Sequence, residues 1–160
     1  MKFKQMMFAL AATWMSCALA GPLDPLISGA WIGESMPGQD TSTLQLNLTT
    51  VKAVTLLSVS SPVANAVEIH SMKLHRGKLQ MHIVNDLQLP EHRTITFGSD
   101  KLFLMLTGIK QTLNSGDKIP LSLTFSFADK HTKTIEATAE VRKMGLSYKH
   151  YGTKEVYDHQ

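Results

Sequence analysis

The segment Glu68-Ile69-His70-Ser71-Met72-Lys73-Leu74-His75-Arg76-Gly77-Lys78-Leu79-Gln80-Met81-His82-Ile83-Val84 reads as two strands around a tight turn. Side chains in a strand repeat every second residue, so His70 and Met72 share a face. Arg76-Gly77 suits a two-residue hairpin loop between His75 and Lys78. That register sets Met72 opposite Met81, with His70 one rung further along the same face. Cross-strand neighbours stand about 5 Å apart, so two thioethers and an imidazole converge on one side of the hairpin.

The same alternation recurs outward from this segment. Leu44-Gln45-Leu46-Asn47-Leu48 alternates strictly, Leu102-Phe103-Leu104-Met105-Leu106 is a continuous apolar run, Leu121 to Phe127 alternates, and Thr132 to Val141 is rich in β-formers. Pro37-Gly38, Ser61-Pro62, Leu89-Pro90, Gly98-Ser99-Asp100 and Ser115-Gly116-Asp117 punctuate these runs as turns. No long amphipathic helix and no internal repeat interrupts them. Many short strands with regular punctuation predict an all-β chain, a Greek-key β-sandwich or barrel. Trp31 is expected to anchor its core. The 160 residues suit one domain, here 29–143, entered through a linker at 21–28. The tail 144–160 holds all three tyrosines together with His150 and His159.

Residues 1–20 read as a secretory signal. Lys2 and Lys4 precede an apolar stretch from Met6 to Ala18, and Ala18-Leu19-Ala20 offers an A-x-A cleavage site. The stretch is shorter than the ~20 residues a membrane span requires. A lipoprotein leader ending at Cys17 fits less well, because Trp14 stands where a small aliphatic residue is expected. After cleavage the exported chain has no cysteine, which excludes a disulfide framework, a C-x-x-C oxidoreductase, a thiolate nucleophile and a blue-copper site. Without Lys2 and Lys4 the formal charge of +3 shrinks to 14 basic against 13 acidic residues. That balance gives no stripe for nucleic acid and no polybasic patch for a membrane. No Ser-His-Asp or paired-carboxylate spacing points to an enzyme.

Methionine and histidine are the informative residues. Met36, Met72, Met81, Met105 and Met144 and all seven histidines lie beyond the leader. Soft thioethers with imidazole and no thiolate are a ligand set for Cu(I), whereas zinc takes His, Cys or carboxylate and calcium or magnesium takes oxygen. A methionine in a β-sandwich is more often core filling, and His82, His92 and His131 read as solvated surface. Residue type alone leaves both readings open.

The spacing goes further. His70, ten intervening residues, Met81, twenty-one more, position 103, one more, and Met105 together resemble the H-x10-M-x21-H-x-M signature of the periplasmic copper chaperones of the PCu(A)C family. The segments Ser58 to Ala64, Val67 to Met72, Leu102 to Leu113 (with Met105, Gly108 and Gln111), Gly116-Asp117 and Pro120 to Phe125 extend the resemblance over roughly Gly29 to Lys143. It implies a cupredoxin-like β-sandwich that binds one copper at an exposed site, with His70, Met81 and Met105 as ligands. It also implies an acceptor, typically the CuA centre of cytochrome c oxidase subunit II or another copper chaperone.

The chain departs from the signature at Phe103, where the family has its second histidine. A phenyl ring cannot donate a nitrogen. One imidazole and two thioethers still suit trigonal Cu(I), while Cu(II) loses more because it favours nitrogen and oxygen donors. Met72 is the first candidate for a fourth ligand, and His150 and His159 of the tail follow. The competing expectation is a family member that has lost metal binding and serves as an exported β-sandwich interaction module.

Overall fold

The computed structural model describes residues 23–144; the leader at 1–20 and the tail beyond Met144, with His150 and His159, lie outside them. Ten strands follow one another: β1 (Leu26–Gly33), β2 (Thr41–Thr50), β3 (Val54–Ser60), β4 (Ala64–His75), β5 (Lys78–Ile83), β6 (Leu87–Leu89), β7 (Arg93–Phe97), β8 (Leu102–Ile109), β9 (Lys118–Ser126) and β10 (Thr132–Arg142). Among the described residues no helix is long and apolar enough to cross a membrane.

The strands run in the order β5-β4-β8-β2-β1-β10-β9-β3-β6, and β3 also pairs with β4. Seven of them, from β4 round to β3, therefore close on themselves into a barrel, which is compatible with the all-β sandwich or barrel expectation. Closure removes most of the free sheet edge. The short strands β5, β6 and β7 hang from β4, β3 and β2. All pairings are antiparallel except β1 with β10, which run parallel through Trp31↔Glu140, Ile32↔Val141 and Gly33↔Arg142.

Alternation decides what fills the ring. Leu44, Leu46 and Leu48 of β2, Leu104 and Leu106 of β8, and Leu121, Leu123 and Phe125 of β9 are all buried. The apolar run of β8 is thus divided: its even positions enter the core, while Phe103 and Met105 face outward and are half-buried. Trp31 does not anchor the core. Its neighbour Ile32 is fully buried, and the pleat turns Trp31 to the outer face of β1, where it is half-buried opposite Gln45. β1 opens at Leu26, inside the stretch assigned to the linker. His131 is not merely solvated. Its ring stacks on Phe127 with centroids 4.4 Å apart, and its Nδ1 is paired with the Asp129 carboxylate. That hydrogen bond from His131 holds the Asp129 carboxyl below its ordinary range.

Gly108 has a local steric role. Its φ is +66°, and an added Cβ would fall 2.3 Å from Asn65 Nδ2 and 2.7 Å from Asn65 Cβ, on the strand paired with β8. Gly77 also has positive φ, yet nothing lies within 4 Å of the Cβ position. Gly108→Ala is expected to cost about 2–3 kcal/mol, combining backbone strain with the clash, and Gly77→Ala about 1 kcal/mol from strain alone. Urea denaturation of the two variants checks this; equal midpoints would remove the role assigned to Asn65.

Candidate metal centre

Three neighbouring strands, β5, β4 and β8, build one outward face. Arg76 and Gly77 both take positive φ, at 49° and 76°, the combination a two-residue type I′ hairpin loop requires. The β4–β5 ladder then runs His75↔Lys78, Leu74↔Leu79, Met72↔Met81 and His70↔Ile83. The Met72–Met81 rung agrees with the register read from the sequence. On the other side β4 pairs with β8 through His70↔Phe103 and Glu68↔Met105.

Directly paired residues lie on the same side of a sheet, so the face has three rungs. The first joins Met81 to Met72, the second joins Ile83, His70 and Phe103, and the third joins Glu68 to Met105. His70 occupies the middle. Met81 and Met105 flank it diagonally from opposite sides, two rungs apart, and diagonal neighbours about 7–8 Å apart are within reach of long side chains. The fold thus brings His70, Met72, Met81 and Met105 to one surface. Met81 is exposed, Met72 and Met105 are half-buried, and the His70 side chain retains only 13% of its accessibility. Ile83 and Phe103 bracket His70 across both ladders, so its nearest cross-strand neighbours are apolar.

Glu68 escaped the sequence reading. It stands two residues before His70, and its Oε2 is 2.9 Å from His70 Nε2. The signal was available, because alternation puts residues 68, 70 and 72 on one face. An ionised carboxylate only accepts hydrogen bonds, so Nε2 carries the hydrogen and donates it to Glu68. The lone pair of a neutral His70 is then at Nδ1. Behind this face, on the core side of β4, the hydroxyl of Ser71 is buried and has no hydrogen-bond partner among the described residues.

The donor set limits what the face can do. Among the described residues no three His, Cys, Asp or Glu side chains are placed to hold a metal ion, so a metal captured here draws on thioether sulfur. Thioethers are soft and neutral and need no deprotonation, unlike thiolates. Nitrogen-15 spectra of the histidine rings are expected to show the Nε2–H tautomer at His70, and Glu68→Ala is expected to move it towards a mixture of both tautomers. An unchanged spectrum in the variant would remove Glu68 from this role.

Comparisons with known proteins show a family and a shared fold. A family model described as "Putative lipoprotein LpqE-like" matches residues 26–139. The copper-bound PCuAC domain from PmoF2 superposes with a TM-score of 0.57 at 17% identity, covering 74% of this chain and 92% of that one. The solution structure of CuI-DR1885 from Deinococcus radiodurans superposes with a TM-score of 0.56 at 24% identity, covering 81% of this chain and 84% of that one. The metal-free form of that protein gives 0.54 at 22% identity, with 89% and 95% covered. No curated protein matches the chain.

Proposed function

Since this chain belongs to the LpqE-like family and shares its fold with PCuAC domains, we propose that it is an exported copper carrier. It takes up one Cu(I) at the β5–β4–β8 face and passes it to another protein. The observation that carries this reading is the central placement of His70, flanked by Met81 and Met105 and joined by Met72 on one surface. His70, Met81 and Met105 are the ligands, with Met72 as the fourth. The neighbouring folds with copper in their names, PmoF2 and DR1885, support the choice of metal.

The role is binding and release, with no covalent chemistry. Neutral sulfur donors exchange by substitution, and an exposed Met81 lets an incoming donor reach the ion before all resident donors have left it. The acceptor we favour is the CuA centre of cytochrome c oxidase subunit II, or a second copper chaperone. The compartment we favour is the periplasm, reached through the leader. The family description as a lipoprotein supports export.

Phe103 bears on the oxidation state. It supplies no donor where the PCu(A)C signature has an imidazole, and it adds an apolar ring beside His70. Both effects weigh more heavily against Cu(II), which prefers nitrogen and oxygen ligands in tetragonal geometry.

Loading the exported chain with Cu(I) under reducing conditions, followed by desalting, is expected to leave close to one copper per chain. The His70→Ala, Met81→Ala double variant is expected to lose it, since removing a ligand should exceed the roughly 10–100-fold effect of altering a ligand's outer partner. A parent chain that emerges empty would favour the alternative of a metal-free interaction module. Phe103→His is expected to tighten Cu(I) binding and to improve Cu(II) binding more; a competition titration without gain in either would count against the assigned ligand set.

A further inference from the structure

The β4–β5 hairpin is built inside out. Lys78-Leu79-Gln80-Met81-His82-Ile83 alternates as a half-buried strand should, yet its apolar side faces water. Leu79 is 67% exposed, Ile83 59% and Met81 49%, and Leu74, paired with Leu79, is 70% exposed. Paired residues share a face, so these four form one apolar strip that continues into Met72 and His70. Isolated exposed apolar residues are ordinary, but a contiguous strip marks a contact surface.

Two further features define what the strip would meet. Among the described residues β5 ends the strand order and pairs only with β4, so none of them covers its outer backbone edge. Natural sheets protect such edges unless a partner strand completes them. The opposite side of the hairpin carries Lys73, Lys78 and His82, and Arg76 sits at its turn. None of these three Lys and Arg residues makes an ion pair among the described residues.

We infer that the β5 edge docks an extended segment of a copper-exchanging partner, added as a further strand in which apolar or thioether side chains alternate with acidic ones. Naming the partner as copper-exchanging rests on the carrier reading above; the strand addition rests on the edge, the strip and the cations alone. Alternate side chains of an added strand fall on opposite faces. One set lies against Leu79, Met81 and Ile83, where a methionine would come beside Met81. The other lies beside Lys78 and His82, where carboxylates are favoured. A second copy of this chain would bring no carboxylate to meet Lys78, because β5 itself carries none, and so leaves the charge of the edge unanswered. A bilayer would cover the strip without satisfying the open backbone edge.

The test uses the metal-free exported chain and a blocked peptide of sequence Glu-Leu-Glu-Met-Glu-Leu-Glu, followed by backbone amide spectra. Binding is expected to shift the amides of residues 78–83. Affinity is expected to fall about tenfold or more when lysine replaces glutamate in the peptide, because rim charge governs encounter. It is expected to fall similarly when the central methionine is N-methylated, and in the protein variant Leu79→Ser, Ile83→Ser. The reversal Lys73→Glu, Arg76→Glu, Lys78→Glu is expected to exchange the preference towards the lysine peptide, which shows that the variant remains folded. Unshifted β5 amides, or an N-methylated peptide that binds equally well, would overturn the inference. So would concentration-dependent shifts without peptide, which indicate self-association, or binding to phosphatidylglycerol vesicles in place of the peptide. Peptide binding by a chain that retains no Cu(I) would uphold the docking edge and sink only the carrier reading.

Discussion

The two-residue repeat of the pleat, applied to β4 and β8 at once, is the constraint on which the site depends. On β8 it sends Leu104 and Leu106 into the core and turns Phe103 and Met105 outward. On β4 it buries Ile69 and turns Glu68, His70 and Met72 outward. A slip of one residue in either ladder would exchange the two sets, opening the core and drowning the donors in it. The fully buried leucines of β8 therefore hold the surface chemistry in register. Stability and site are one problem here, because the residues that fill the ring decide which way their neighbours point.

The hairpin was legible because its information is local. Arg76 and Gly77 supply the positive φ of the turn, and Met72 and Met81 each stand four residues from its nearer end. The broad all-β architecture was legible for the same reason, from alternation and punctuation. Other elements were not. β3 reads Val-Thr-Leu-Leu-Ser-Val-Ser from Val54 to Ser60 and breaks strict alternation, and its pairing with β9 shifts register between Leu56 and Ser58. The parallel contact of β1 with β10 joins segments more than a hundred residues apart, and no turn announces it. The size of Trp31 points to the core while its phase does not: Ile32 has the inward position, so Trp31 cannot. Glu68 is not legible from ligand chemistry, because a carboxylate is not a soft-metal donor, although its position beside His70 follows from alternation alone.

The exposed strip on β5 shows where folding and binding requirements separate. Leu79, Met81 and Ile83 add little to the core, since they face away from it, and no strand among the described residues pairs with the backbone edge beside them. A sequence selected only for monomer stability would place polar residues there, as edge strands ordinarily do. The strand instead keeps its charges on the other side of the hairpin and its apolar residues beside the sulfur donors. This arrangement favours the reading in which the surface that holds the cargo is also the surface that meets the recipient.

Charge supplies the last link. One imidazole and two or three thioethers are all neutral, so a cuprous ion among them would bring an uncompensated positive charge onto a half-buried face. Glu68 is the one carboxylate on that face of the three strands, and its oxygen lies at His70 itself. An opposite charge near a partly desolvated ion interacts far more strongly than it would in bulk water. A carboxylate beside the ligand, and not in the ligand set, can offset the ion's charge while leaving its soft coordination intact. The apolar residues bracketing His70, Ile83 and Phe103, limit the water that would otherwise screen this interaction. On the carrier reading, sulfur selects the metal, Phe103 disfavours its oxidised form, and Glu68 makes its single charge tolerable at a surface otherwise suited to contact with another protein.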